Sequence, residues 1–336
     1  MNTTKDILRM QNNSVAEGIF LINDIKLKPF MNGKEGYFLV FNLQDKEGLV
    51  ASKIWDNAEV LAQQLKAIKF AEVKGRTSLY NNKIQLVVDK IREAEKGSYN
   101  EADLIRMASK SPEDMWNEIV EIFESLENQS YFKDLNIIKI WEFYKQDEDF
   151  LQKFKMWPGG KGIVHHAYQH GLLEHTLSVI KLTETITSDL QIDFYKARLG
   201  AFLHDIGKID AYDYDLKTSM TNFGRLHEHS VLGYYRFRKD LETIDIPNKE
   251  IYAEEIGHII LSHHGSREHG AIVAPMTVEA RLVAFADQLD SDVNYGIQQV
   301  EHNADEFGWV FDNLNEQFYF KRPKVTQPTL KRRKMI

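Results

Sequence analysis

The stretch FLHDIGK at residues 202–208 places a histidine, an aspartate and a lysine directly after two strongly core-preferring side chains. Buried imidazole and carboxylate groups are costly unless something pairs with them, and the neighbouring sequence offers no partner. A divalent metal ion would serve. Four further segments repeat the pattern: HHAYQHGLLEHTLSV (165–179), RLHEHSVLG (225–233), IILSHHG (259–265) and VAFADQLD (283–290) each set a potential ligand inside an apolar run with helical spacing. A single histidine on an apolar helix is most often a satisfied core residue, and Asp287 alone could cap a helix or pair with an arginine. Five such placements in one helical region favour a metal site. Histidine and aspartate together suit Mn²⁺, Fe²⁺, Co²⁺, Ni²⁺ or Zn²⁺. The chain has no cysteine, which excludes disulfides, zinc ribbons and cysteine nucleophiles and leaves only histidine and carboxylate as ligands.

Those residues need helices to hold them. Leu172, Leu173, Leu177, Val179 and Ile180 predict an apolar helix around His175. Leu199, Phe202, Leu203 and Ile206 form a packing face that ends at Gly207, and His204 and Lys208, four apart, share a side. Asp287 lies between Phe285, Ala286 and Leu289, where an unpaired carboxylate would be expensive. Upstream, Ser111 as N-cap and Pro112 at the first helical position open an amphipathic stretch that runs to about Phe154. The loop WPGGKG (157–162) reads as an interdomain turn, and the pattern is helical from there to about Asn303. All 12 histidines lie from His165 onward, so the imidazole chemistry belongs to this half.

The first part of the chain alternates with a period of two. EGIFLIND, GYFLVFNLQD, GLVASKIW, AEVKGRTSLY and NKIQLVVDKI predict five strands, with a helix near NAEVLAQQLKAI between the third and fourth and turns at Asn32-Gly33 and Asn81-Asn82. That order describes an OB-type barrel. If Val50, Ile54 and Val73 point inward, then Lys53, Trp55, Lys74 and Arg76 point outward; Phe38 or Phe41 is expected in the core. The net charge of -8 argues against a protein held to nucleic acid by bulk charge, yet residues 1–96 carry 15 Lys+Arg against 12 Asp+Glu. An anionic polymer would meet this part first. No apolar run approaches a membrane span and MNTTKDILRM lacks a signal-peptide core, so a cytoplasmic protein without membrane contact is expected.

The expected fold class is therefore a multidomain α and β chain, an N-terminal OB-type β-barrel followed by an all-α helical bundle. Its units are residues 1–96 (single-strand nucleic-acid-binding barrel), 97–162 (helical connector), 163–320 (metal-dependent helical domain) and 321–336 (basic, disordered tail).

The set H…HD…D, here His175, His204 with Asp205, and Asp287, resembles the motif of the HD-domain metal-dependent phosphohydrolases. A barrel preceding HDIGK, LSHHG and EARLVAFADQLD is similar, over about residues 15–320, to the YhaM-type 3'-to-5' exoribonucleases. The resemblance implies that His175, His204, Asp205 and Asp287 hold one metal ion. Asp205 would bridge to a second, completed by His229 and His263, with His264 as ligand or substrate contact. Mn²⁺ is the first choice, with Co²⁺, Fe²⁺, Ni²⁺ or Zn²⁺ as alternatives. Lys208 would donate to a phosphate oxygen as charge develops there, and Asp205 and Lys208 are the implied catalytic pair. His166 matches a family histidine and is expected to contact substrate, whereas His170 and His227 are expected as exposed or rim imidazoles. Lys53, Trp55, Lys74 and Arg76, with Tyr80 beside them, would hold single-stranded RNA, single-stranded DNA being left open. A homo-oligomer whose subunits form a shared channel is compatible with this reading. Two other readings compete: an HD-type nucleotidase or cyclic-dinucleotide phosphodiesterase, and a non-catalytic nucleic-acid-binding protein.

Overall fold

In the computed structural model, described over residues 1–30, 35–81, 83–125, 134–160, 166–187, 192–216, 218–302, 308–312 and 316–322, the alternating segments form the strands β1 (Val15–Pro29), β2 (Tyr37–Asp45), β3 (Gly48–Ile54), β4 (Phe70–Tyr80) and β5 (Lys83–Glu93). They close into a barrel of order β1-β2-β3-β5-β4. A short helix α1 (Thr4–Arg9) precedes them and α2 (Ala58–Ala67) joins β3 to β4. The period of two sorts the faces as expected. Leu39, Phe41, Leu43, Val50, Ile54, Val73 and Leu86 fill the interior, while Trp55, Lys74 and Arg76 are exposed and Lys53 half-exposed. Phe38 is half-buried at the rim, its ring tilted against those of Phe30 and Trp55. The β1–β2 register slips between Asn23 and Lys26, with Asp24 at φ 54, a bulge that re-aims the side chains beside it.

The amphipathic stretch after Ser111 is broken into α3 (Pro112–Glu124), α4 (Leu135–Gln146) and α5 (Glu148–Met156). Ser111 caps α3 by accepting from Asp114 N at 3.1 Å. Asp147 both ends α4 and caps α5, accepting from Phe150 N at 3.0 Å. Then follow α6 (Gly171–Thr187), α7 (Phe194–Leu203), α8 (Lys208–Ala211), α9 (Asn222–His227), α10 (His229–Thr243), α11 (Lys249–Ser262) and α12 (Val278–His302). Phe202 is fully buried within 6.3 Å of the rings of Trp116, Phe123, Trp141, Tyr144, Phe150 and Phe154. Such a ring cluster is rigid, and it anchors the end of α7 two residues before His204.

The second half is the expected helical bundle, and it also carries two short hairpins. Strands β6 (Tyr212–Tyr214) and β7 (Thr218–Met220) pair between α8 and α9, where aromatic and β-branched residues favour a hairpin. A second hairpin, β8 (Gly308–Asp312) with β9 (Gln317–Lys321), follows α12. The expected Asn32-Gly33 turn, Asn82, His165, residues 161–162 of the glycine loop and 323–336 of the tail lie outside the described residues.

Two contacts fix the helices that carry the candidate ligands. Gly207 lies so close to α10 that a Cβ there would sit 2.0 Å from the His229 carbonyl oxygen and 2.3 Å from Gly233 N. Asp210 of α8 accepts two hydrogen bonds from the Arg236 guanidinium of α10, each 2.7 Å. The barrel is tied to this half through Ala108 N donating to Gln169 O (3.0 Å), Gln169 N donating to Arg106 O (3.1 Å) and the Lys69–Asp215 ion pair (2.6 Å).

Candidate metal centre

Helix ends build the site. His204 and Asp205 follow the last turn of α7, Lys208 opens α8, His229 is the first residue of α10, and His263 and His264 follow the last turn of α11; His175 and Asp287 project from within α6 and α12. A helix C-terminus leaves carbonyls without intrahelical donors. His204 Nδ1 donates to Ala201 O and His263 Nδ1 donates to Ile260 O, both at 2.7 Å and both three residues back. His175 Nδ1 donates to the Asp290 carboxylate at 2.7 Å. In each ring the second nitrogen, Nε2, is thereby turned toward the centre, the arrangement typical of metal-ligating histidines.

The inward atoms fall into two sets around Asp205, which is 2% exposed. Its Oδ2 lies 3.4 Å from Nε2 of both His175 and His204, which are 3.1 Å from each other, and Asp287 Oδ1 is 3.1 Å from His175 Nε2. Its Oδ1 lies 3.4 Å from His229 Nε2 and 3.5 Å from His263 Nε2; His264 Nε2 is 3.0 Å from His229 Nε2. Asp205 Oδ1 and His263 Nε2 are buried without a hydrogen bond among the described residues. An orphan carboxylate oxygen facing an orphan imidazole nitrogen is expensive. With metal–ligand bonds of about 2.1 Å, the edges of an octahedron or tetrahedron of donors are about 3.0–3.4 Å long, close to these spacings. The donor set fits divalent metal.

Electrostatics agree with that use. Burial raises the pKa of Asp205, but Lys208 and His204 outweigh it and hold the carboxyl well below its ordinary range. Lys208, buried with Nζ 2.5 Å from Asp205 Oδ2, is pulled down by burial and raised on balance by Asp205 and Tyr212, so it stays a cation. For Asp287 burial is likewise outweighed, by His175 first, and the group is lowered. Burial lowers His263, and burial with His263 and His229 alongside lowers His264. Both remain neutral, as ligands must.

Asp290 gave no signal of its own in the sequence. It is 3% exposed and accepts from His175 Nδ1 (2.7 Å), His166 Nε2 (3.0 Å), Asn294 Nδ2 (2.9 Å) and Ser178 Oγ. The readable clue was its place one turn beyond Asp287 on the same helix. His166, expected to meet substrate, is instead buried at 3% exposure. A left-handed backbone, φ 52, turns its ring inward, and its nitrogens lie 3.0 Å from the carboxylates of Glu174 and Asp290. Tyr168 completes this layer by donating to Glu174 at 2.5 Å. His170 is half-buried and His227 exposed.

On the barrel, Lys53 and Trp55 share a patch with three further rings. Trp55 lies 5.0 Å from Phe38 and 6.2 Å from Phe30, and Lys53 Nζ sits 4.1 Å over Tyr80. Burial first, and the nearby Lys28 second, lower the Lys53 pKa. Lys74 lines with Trp55 a groove of 790 Å³ and pairs with Glu17 at 3.0 Å. Arg76 is exposed farther along β4, opposite Val15, and is not part of that groove.

Known proteins match this arrangement. Residues 172–292 match the HD domain family. A 3'-5' exoribonuclease YhaM of Geobacillus sp. (strain WCH70) is 29% identical over 294 residues, which covers 86% of this chain and 86% of that protein. A solved structure of RecG bound to a three-way DNA junction aligns with 55% of this chain and 25% of its own at 13% identity and a TM-score of 0.24, too slight a likeness to bear on the fold. The expected resemblance and enzyme class, a phosphodiester hydrolase, are borne out. Among the described residues no helix is long and apolar enough to cross a membrane.

Proposed function

We propose that this protein is a metal-dependent exonuclease that shortens single-stranded RNA from its 3' end and releases nucleoside 5'-monophosphates. The observation that carries the reading is Asp205, whose two oxygens face two separate sets of inward imidazoles, one oxygen without a hydrogen bond among the described residues. His175, His204, Asp205 and Asp287 would hold one divalent ion, and Asp205, His229, His263 and His264 a second, with Mn²⁺ the first choice. When bound, the ions supply an activated water and polarise the phosphodiester for in-line displacement. The chain's own groups do the rest. Lys208, kept charged beside Asp205, donates to a non-bridging phosphate oxygen as negative charge grows. Asp290 orients His175. The barrel holds the strand by base stacking on Trp55, with Phe38 and Phe30 behind it, and by the charge of Lys53, a sequence-tolerant mode of single-strand binding. Residues 1–96 would thus grip the polymer that residues 163–320 cut.

The test is cleavage of a 5'-labelled single-stranded RNA with a free 3'-hydroxyl, in Mn²⁺ and in EDTA, beside the Asp205→Ala protein. A ladder that shortens from the 3' end only with metal and intact Asp205 is expected. RNA left intact by metal-loaded protein that hydrolyses small phosphodiesters would replace this reading with a nucleotidase.

A further inference from the structure

A second cavity lies between the barrel and the helical half. It has a volume of 270 Å³, the size of a base with part of its ribose, and shares no residue with the candidate ligand set. Asn23, Gln44 and Gln169 line it together with Tyr168, Tyr214 and Leu216. Asn23 Nδ2 donates to Gln44 Oε1 at 2.6 Å. That bond leaves Asn23 Oδ1, an acceptor, and Gln44 Nε2, a donor, with no partner among the described residues. The Gln169 side-chain amide has none either, although its backbone is fixed on both sides by the Arg106–Ala108 segment. The bulge at Asn23, with Asp24 at φ 54, is what brings these amides to the rim of the barrel.

Paired amide donors and acceptors read the hydrogen-bonding edge of a base, and flat aromatic rings take its face. Tyr214 is backed by Trp157 at 6.1 Å, and Arg106 lies 5.2 Å over Tyr168, so both rings are braced. The charged residues of the lining, Arg106 and Asp24, offset each other, and this suits a neutral base rather than a phosphate. We propose that this cleft is a nucleobase pocket. Resting on the exonuclease reading, it takes the base of an uncut nucleotide upstream of the linkage being hydrolysed. One hydrogen-bonded layer separates it from the centre. Tyr168 donates to Glu174, His166 bridges Glu174 to Asp290, and Asp290 accepts from His175. An occupant against Tyr168 therefore presses on the groups that orient a candidate metal ligand.

The experiment uses the full chain in EDTA, so that no hydrolysis occurs, and labelled single-stranded RNAs carrying one abasic site at successive distances from the 3' end. Wild type is expected to lose roughly tenfold in affinity when the abasic site falls at one internal position, the scale of a lost bidentate base contact. Gln44→Ala and Gln169→Ala should lose a similar factor with intact RNA and become indifferent to the abasic site there. Variants that keep the wild-type abasic profile would overturn the proposal, even with the Mn²⁺-dependent ladder intact. A titration with adenosine and uridine 5'-monophosphates separates the two sources of a base: saturable binding lost in both variants would assign the pocket to free nucleotides. If RNA is neither bound nor cut, the exonuclease reading fails, and absence of nucleotide binding would then overturn the pocket as well.

Discussion

Asp290→Asn keeps the shape of a buried side chain and removes its charge. The carboxylate now accepts on one oxygen from His175 and His166 and on the other from Ser178 and Asn294. An amide has one acceptor oxygen. It would turn that oxygen to the two histidines, and its NH₂ toward Ser178, whose hydroxyl can rotate to accept, and Asn294. His175 then keeps a neutral acceptor behind it but loses the anion that makes its Nε2 a stronger donor to metal. Replacing such an orienting group lowers metal affinity about 10–100-fold. At a metal concentration of about 100 times the wild-type Kd, binding stabilises the fold by about 2.7 kcal/mol; a 30-fold weaker site at that concentration gives only about 0.9 kcal/mol. Thermal unfolding across a Mn²⁺ titration reads this directly, and RNA cleavage should recover as Mn²⁺ is raised. A variant whose metal curve overlays that of wild type, while its metal-free form melts lower, would show Asp290 to be a structural residue and refute the reasoning.

Burial pulls the His175 imidazole down, but Asp287 and Asp290 outweigh it and raise its pKa to about 9. Metal-free protein therefore holds a proton there that a metal must displace. Calorimetry in buffers of different ionisation enthalpy should detect proton release at neutral pH, with affinity rising with pH until it levels near 9. By the same linkage this group stabilises the metal-free fold below the ordinary histidine range, a contribution lost as pH rises through about 9. Lys208→Met should lower kcat about 10²–10³-fold, the scale of a lost transition-state donor, while RNA binding in EDTA is unchanged; activity within threefold of wild type would remove its role. Trp55→Ala should weaken RNA binding by about 1–3 kcal/mol and leave hydrolysis of a small diester unaffected, and equal losses on both substrates would count against the barrel as the strand holder.

His204 and Asp205 were legible because they violate an apolar helical pattern, and the barrel faces because a strand's period of two leaves no choice of side once Val50 is inside. Other features needed the third dimension. Asp290 sits among Gln288, Ser291 and Asp292 and looks like part of a solvated helix face until His175, 115 residues away in the chain, is seen donating to it. The inward turn of His166 depends on one left-handed residue, which no periodicity reports. Strands of three residues such as β6 and β7 are shorter than any pattern that would announce them. The break between α4 and α5 rests on Asp147 alone, a polar residue in an otherwise continuous helical spacing.

Where Gly207 meets α10 the contact is backbone against backbone, with the His229 carbonyl and Gly233 in the place a Cβ would take. Where helices meet through rotatable side chains, their separation can adjust as rotamers change. Bare backbone allows no such slack, and Asp205 and His229 inherit their spacing from it. On the proposed function the crossing would act as a gauge for ion size: a cation that prefers oxygen contacts of about 2.3–2.6 Å rather than 2.0–2.1 Å would find these two donors slow to spread apart. Discrimination among divalent ions would then depend in part on a contact that touches no ion.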